Sequence, residues 1–484
     1  MLYKAGVVLD TPTLFVTGGL TAVIWTDFVQ TILMVAGAIL LCVLSFIEVG
    51  GYTGLLNLYH SSIPESLILS NQTCNMPLDE AFHIFRDPLS PDLPWPGALT
   101  GAIIKSFWYW CADQVIVQRA LAAKNITHAK AGTLLAAVLK LLPLFLLVMP
   151  GMIARVLYPE TVGCADPETC LKVCNSPAGC SNIAYSALVL NLMPAGLRGL
   201  MLAVMLAALM SSLTSVFNSS STIFTLDIWT LIRKNASSRE LMIVGRVFVV
   251  VLVGLSIVWV PLLKGNHGSQ IFTYTVQVGS FFQPPIIAAF TLALFTSRVT
   301  EKGAFWCMIV GGVIGITRFV LEYSYDKPSC GEGPDIRPSF IKDFHFLYFS
   351  ALVYVLCIIV AVVISLLTKP ISPKHLHRLT FWNRFDKEER VNLPAQGENK
   401  ENPEDEQSEE DTETTQTSVV WYKKVVLWIC GIDHRVANRS QSANEDASAQ
   451  RHESLYEKPV YRRIVNLLAV VIAATAVFVM VFFK

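Results

Sequence analysis

Charged side chains are scarce in this 484-residue chain, which is 53% hydrophobic and 15% charged and has no formal net charge. Soluble domains carry about 25% charged residues, so the composition argues against an ordinary soluble protein. The zero net charge argues against a nucleic-acid partner held by bulk electrostatics. A mean hydropathy of +0.50 and long apolar runs instead predict an all-α polytopic protein in a lipid bilayer.

Motifs for catalysis and nucleotide binding are missing as well. No Walker, Rossmann or HExxH pattern occurs, and no Ser/His/Asp constellation has positional support. An ATP-driven pump and a membrane hydrolase are therefore disfavoured, and we expect neither an enzyme nor a bound cofactor. Residues 1–10 lack the long apolar core and cleavage site of a signal peptide, so insertion would rely on the first spanning helix.

The apolar segments predict about nine spanning helices, each long enough to cross about 30 Å of hydrocarbon. They are residues 16–48, 97–120, 131–156, 197–226, 244–264, 271–296, 303–323, 346–368 and 464–483. Residues 184–193 are too short to span and are expected at the interface. The predicted organisation is a transmembrane bundle at 1–368, a cytoplasmic loop at 369–461 with a disordered acidic linker at 391–418, and a last spanning helix at 462–484.

Positive charges, cysteines and a sequon predict one orientation. Lysine and arginine cluster in alternate loops, including 119–130, 233–246 and 369–390, and the side that carries them is cytoplasmic. The sequon that begins at Asn71 lies on the opposite side, so Asn71 is predicted to be glycosylated. Alternation of the spans then places the C-terminus outside.

Six cysteines lie in the predicted outer loops: Cys74, Cys164, Cys170, Cys174, Cys180 and Cys330. In an oxidising compartment such a set predicts disulfides. A zinc site in the 164–180 loop is the alternative, although that loop has no CxxC pair. Its four cysteines allow three connectivities, so the residues alone leave the pairing open.

Two charged residues stand out in apolar surroundings. Lys140 is the only charged residue from 132 to 153, and Asp27 precedes the uncharged run 28–47. A lysine at the bilayer centre costs about 2.5–3.5 kcal/mol on insertion scales and persists where it faces a bundle interior or polar cavity. Both residues therefore predict a protein that handles a polar solute, with Asp27 as a partner for a cation. A structural ion pair is the alternative for Lys140.

Three further segments carry unusual groups for a membrane span. Residues 106–114 combine aromatic and polar side chains that could stack on a sugar ring, although an interfacial aromatic belt is the alternative. Hydroxyls crowd residues 210–215, where they could bind a small cation or join helices. Pro284 and Pro285 predict an interrupted helix with free backbone carbonyls.

Together these stretches resemble the sodium/glucose cotransporter branch of the solute:sodium symporters. The matching residues are 18–22 with Thr26 and Asp27, 82–88, 94–97, 108–110 with 113–119, 210–215 and 366–370. The resemblance implies symport of sodium, as co-substrate, with a monosaccharide such as glucose across the plasma membrane. The alternatives are symport of myo-inositol or another small polar solute, and a non-transporting sensor or truncated isoform that acts with an accessory membrane subunit.

The resemblance also implies an inverted-repeat, leucine-transporter-like fold. Family members have about five more helices before Asp27, and such folds place solute and ion between their two repeats. This chain would then lack most of the first repeat. We therefore expect an N-terminally truncated form that does not transport as it stands.

Site residues follow from the same resemblance. It implies sugar contacts from Lys140, Trp110, Tyr109, Ser106 and Gln277, although Val276 occupies the position that matches the family's glutamine and Gln277 follows it. It implies one sodium site at Ala208, Ser211 and Ser212 and a second at Asp27, Thr214 and Ser215. It also implies disulfides Cys74–Cys330, Cys164–Cys170 and Cys174–Cys180. Lys105 adds a positive charge where the family has an apolar residue.

Overall fold

The computed structural model describes residues 6–65, 68, 76–89, 93–164, 166–176, 179–234, 236–264, 271–325, 337–384, 386, 388, 391 and 457–483. Within these ranges all regular secondary structure is helical. The first helices are α1 (Gly6–Val49), α2 (Gly51–Tyr59), α3 (Trp95–Phe107), α4 (Gln114–Leu121), α5 (Ile126–Pro143), α6 (Met149–Leu157), α7 (Pro159–Val162), α8 (Pro167–Cys174) and α9 (Ala184–Leu192). The later helices are α10 (Ala195–Ile223), α11 (Thr230–Ile232), α12 (Ser238–Lys264), α13 (Ile271–Phe295), α14 (Glu301–Ser324), α15 (Ser339–Lys342), α16 (Phe346–Leu367) and α17 (Pro459–Phe482).

Eight helical segments in the described part of the chain are long and apolar enough to cross a membrane. They account for every predicted span except 97–120, which is broken. A π-helical turn at Trp108–Ala112 continues α3, and the backbone of Asp113 is then extended, with φ −68° and ψ 115°. The Asp113 carboxylate accepts a hydrogen bond from Val115 N at 3.0 Å and caps α4. The expectation of one continuous helix was wrong here because Asp113 ends one helical segment and starts another.

Helices α1 and α10 pack against each other in antiparallel directions. Gly37 on α1 approaches Met201 on α10 so closely that a Cβ atom there would collide with the Met201 side chain. Further along the pair, Asp27 meets Ser211, so residue numbers fall on one helix as they rise on the other. The apolar core beside this pair also includes α2, α6 and α9, with Leu41, Leu55, Ile153 and Leu188 fully buried. Burial of Leu188 shows that α9 belongs to the packed core.

A second core joins α13, α14 and α16, with Phe281, Cys307, Cys357 and Ala361 fully buried. Helix α13 runs unbroken through Pro284 and Pro285, so the predicted interruption is wrong. Pro285 has no N–H for the Phe281 carbonyl, and Gly315 of α14 lies against that carbonyl oxygen. Close packing by a glycine therefore covers the carbonyl that the proline leaves without its helical donor.

The loop at 164–180 contains the two disulfides that the resemblance implied, Cys164–Cys170 and Cys174–Cys180. The zinc alternative is thereby excluded, since all four sulfur atoms are joined in pairs. Asn71, Cys74, Cys330 and the linker 391–418, apart from Val391, lie outside the described residues. The glycosylation, the Cys74–Cys330 disulfide and the disordered linker stay predictions.

Candidate functional site

A cavity of about 420 Å³ lies between α1, α4, α10 and the π-helical turn that follows α3. Its polar lining consists of Asp27, Gln30, Thr31, Tyr109, Asp113, Arg119, Ser211, Ser212 and Ser215. Helical periodicity explains the set, because residues three or four apart share a helix face. Asp27, Gln30 and Thr31 follow that spacing on α1, and so do Ser211 and Ser215 on α10. The close packing of α1 against α10 then brings the two polar faces together.

Asp27 is the centre of a hydrogen-bond network across three helices. Its Oδ2 accepts a hydrogen bond from Arg119 Nη2 at 2.7 Å, and the same Nη2 donates to Ser215 Oγ at 2.6 Å. Ser211 Oγ donates to Asp27 Oδ1. The Asp27 side chain is only 15% exposed, whereas that of Arg119 is 35% exposed. The guanidinium therefore compensates a largely buried carboxylate.

The other residues of the predicted sodium sites take different positions. Ala208 and Ser212 line the cavity, but Ser212 Oγ donates to the Ala208 carbonyl at 3.0 Å. Thr214 is buried, and its hydroxyl donates to the carbonyls of Ser211 at 2.8 Å and Met210 at 3.1 Å. The structure thus brings Asp27, Ser211 and Ser215 together, while the side chains of Ser212 and Thr214 bond to their own helix.

The predicted sugar residues are only partly assembled around the cavity. Tyr109 lines it, and the Trp110 ring meets the Tyr109 ring edge to face at 5.3 Å between centroids. Lys140 Nζ lies 4.0 Å from the centroid of the Tyr109 ring. A cation over the face of an aromatic ring is electrostatically favourable. Tyr109 therefore links Lys140 to the cavity that contains Asp27.

Two expectations about these residues differ from the structure. Lys140 is exposed and is not enclosed by the helices, although its ammonium lies over the Tyr109 ring; α5 packs chiefly against α17, the preceding α4 and its own continuation, the π-helical turn at Leu144–Val148. Ser106 is also exposed, and Gln277 is half-buried on α13; neither lines the cavity. Lys105 Nζ lies 5.9 Å from the centroid of the Phe272 ring. Lys105 therefore places a second positive charge beside the aromatic segment.

Sequence reasoning missed three polar members of the cavity lining: Gln30, Thr31 and Arg119. Arg119 was assigned to the cytoplasmic positive charges and to the stretch 113–119 that carries the resemblance, but not to a sodium or sugar site. Gln30 was not singled out, but it lies one helical turn from Asp27. Its Oε1 atom is buried and has no hydrogen-bond partner among the described residues. Helical spacing from Asp27 was the signal that could have identified Gln30.

The oxygen atoms around the cavity suit a small hard cation. A carboxylate, two serine hydroxyls and a buried amide oxygen that has no hydrogen-bond partner in the described part of the chain are oxygen donors of the kind that such ions bind. Tyr109 supplies an aromatic surface with a polar tip at the same cavity, which is suited to a hydroxylated ring. The arrangement can therefore hold a cation and a polar solute close together.

Comparisons with known proteins give a consistent result. A family model described as the sodium:solute symporter family matches residues 3–311. Sodium/glucose cotransporter 4 of Danio rerio is 47% identical over 484 residues, which cover 100% of this chain and 73% of the relative. Sodium/glucose cotransporter 1 of Ovis aries is 47% identical, and the match covers 97% of this chain and 71% of that relative. Sodium/myo-inositol cotransporter 2 of Oryctolagus cuniculus is 44% identical, with 100% and 73% covered.

One solved structure shares the fold. A Na⁺-coupled sialic acid symporter in a substrate-bound outward-open state matches with a TM-score of 0.54 and 21% identity. The match covers 76% of this chain and 66% of that chain. This likeness confirms the leucine-transporter-like fold class and carries no argument about the solute.

Proposed function

The chain belongs to the sodium:solute symporter family, and from this premise we propose that it carries out sodium-coupled symport of a monosaccharide such as glucose. The observation that carries the proposal is the position of Tyr109. It lines the same cavity as Asp27 and Ser211, and its ring lies beneath the Lys140 ammonium. One residue thus connects the candidate sugar contacts with the candidate sodium ligands.

The proposed roles follow from the chemistry of each group. Tyr109 and Trp110 would stack on the apolar face of a sugar ring, while Lys140 and the Tyr109 hydroxyl would bond its hydroxyl groups. Asp27, Ser211 and Ser215 would supply oxygen atoms to sodium. Coupling lets the sodium gradient and membrane potential drive uptake, with an electrical part of about 2.3 kcal/mol per charge for each 100 mV.

A second candidate function is symport of myo-inositol or a similar polyol. Gln277, which follows the position that matches the family's glutamine, does not line the cavity. A solute that does not need that amide would suit the arrangement, and relatives include sodium/myo-inositol cotransporters. A substrate panel separates the two candidates.

Location and orientation belong to the same proposal. Positive loops on one side and the disulfide-bonded loop at 164–180 on the other support a plasma-membrane protein. From the alternation of the spans we expect the C-terminus to lie outside the cell. A tag at residue 484 that is accessible to antibody only after permeabilisation would contradict that orientation.

Uptake of labelled glucose and labelled myo-inositol tests the function. We expect uptake by cells whose surface carries this chain together with the N-terminal helices that the family resemblance implies, and loss of that uptake when choline replaces sodium. Tyr109→Ala and Asp27→Asn should each reduce uptake at least tenfold, since each removes a cavity group. Trp382→Ala, an exposed position outside the cavity, is the matched control. Absence of sodium-dependent uptake of either solute by surface-expressed protein would count against the proposal.

A further inference from the structure

Arg119 occupies the position where a cation would meet the oxygen atoms of Asp27 and Ser215. A single guanidinium nitrogen contacts Asp27 Oδ2 at 2.7 Å and Ser215 Oγ at 2.6 Å. Among the described residues, the carboxylates that line the cavity are Asp27 and Asp113, and the latter caps α4. The charge of Asp27 is thus compensated once, by Arg119, and a second cation at the same oxygens would be repelled by the guanidinium.

We propose that Arg119 is a tethered competitor for sodium: its guanidinium holds the Asp27–Ser215 position until a sodium ion displaces it. The proposal rests on the proposed function, in which sodium binds at this cavity. It assigns to Arg119 control over the sodium concentration at which the site fills. It also makes release of Arg119 from α1 and α10 part of sodium binding.

The guanidinium satisfies the site only in part. It bonds Asp27 Oδ2 and Ser215 Oγ, yet Gln30 Oε1 stays buried and without a partner among the described residues. A buried acceptor that lacks a partner carries a desolvation cost. Sodium can be bound by several oxygen atoms at once, so it can use the Gln30 oxygen as well. This difference favours exchange of one cation for the other.

The geometry around Arg119 also allows it to leave. Its side chain is 35% exposed, so the guanidinium has a route to solvent. It lies in the last turn of α4, a helix of 8 residues that begins directly after the extended backbone at Asp113. A long side chain at the end of such a short helix can turn outward without breaking a spanning helix. Release of Arg119 removes a direct bond between α4 and the α1–α10 pair.

Thermal unfolding of the purified full chain against sodium concentration tests this exchange, with choline chloride used to hold ionic strength constant. Arg119→Gln removes the competing charge, so its half-stabilising sodium concentration should fall about tenfold or more. Arg119→Lys keeps the charge but loses the planar guanidinium, so it should shift the value by a smaller factor. Arg233→Gln, which breaks the ion pair of an exposed arginine with Glu240 away from the cavity, is the control and should leave the value unchanged.

The outcomes separate this inference from the proposed function. If the unaltered chain is stabilised by sodium and both Arg119 variants respond at the same concentration as it does, Arg119 is not a competitor and the inference is overturned. If sodium stabilises Arg119→Gln but barely affects the unaltered chain, the competition is strong and the inference is supported. If no protein responds to sodium at all, both the inference and the proposed sodium site fail. If Arg119→Gln does not fold, Arg119→Lys alone tests the inference, because its half-stabilising sodium concentration must still differ from that of the unaltered chain.

Discussion

The bundle of α13, α14 and α16 and the cavity between α1, α4 and α10 each contain a departure from regular helical hydrogen bonding. In the bundle, Pro285 deprives the Phe281 carbonyl of its helical donor, and Gly315 closes over the exposed oxygen. At the cavity, the extended backbone of Asp113 interrupts the helix, and polar side chains of the neighbouring helices line the cavity. A backbone irregularity therefore provides a candidate binding site only where neighbouring helices leave room for a guest.

The stability of the close-packed bundle of α13, α14 and α16 should be the more sensitive to added side-chain volume. A Cβ atom on Gly315 would lie 2.3 Å from the Phe281 oxygen, whereas one on Gly312 meets nothing within 4 Å. Gly315→Ala should therefore lower the free energy of unfolding by about 1–3 kcal/mol, the usual cost of overpacking. Gly312→Ala, on the same helix, should be nearly neutral. Equal melting temperatures for the two variants would contradict the close packing assigned to this region.

The stability of the helices around the cavity should depend on the Asp113 cap at the start of α4. Asp113→Ala removes the acceptor for Val115 N, and loss of such a cap costs about 0.5–2 kcal/mol. Asp113→Asn keeps an acceptor oxygen and should retain most of the stability. Thermal unfolding and hydrogen exchange at α4 measure the effect. If Asn and Ala are equally destabilising, Asp113 acts through its charge and not through capping.

The smallest effect is expected outside both regions, at the start of α8. The Asp166 carboxylate accepts hydrogen bonds from the Thr169 hydroxyl and backbone N–H, and these bonds lower the pKa of Asp166. A carboxyl whose pKa is lower in the folded state stabilises it above the ordinary pKa, and this contribution is lost as the pH falls through the lowered value. The protection of the Thr169 amide against hydrogen exchange, relative to an unstructured peptide at the same pH, should therefore fall only in acid. Asp166→Asn should remove that pH dependence.

Most of the fold could be predicted from sequence because hydropathy and helical period are local properties. Eight of the nine predicted spans correspond to long helices, and the helix at Ile271–Phe295 was placed within one residue. The break at Asp113 was not predicted, although Asp is a favoured capping residue. Asp113 lies in a segment that combines aromatic and polar side chains, and hydropathy alone cannot distinguish a cap from a polar residue inside a helix.

The candidate site was less accessible to sequence reasoning. The hydroxyl cluster and Asp27 were singled out from chemistry and resemblance, and the structure brings Asp27, Ser211 and Ser215 together. Arg119 was missed because a cation near a cytoplasmic end is ordinary by composition. The exposure of Lys140 was missed for a similar reason, since the identity of a residue does not say which helices pack beside it.

The amino-acid sequence alone determined that this protein lies in a membrane, which segments cross it and which rare polar groups are carried into it, because each of these depends on short-range hydropathy and chemistry. Only the tertiary structure decided that Asp27 meets Arg119, 92 positions away. It also decided that Pro284 and Pro285 lie inside a continuous helix. Both features depend on how whole helices pack against one another, and that packing cannot be inferred from the residues of a single segment.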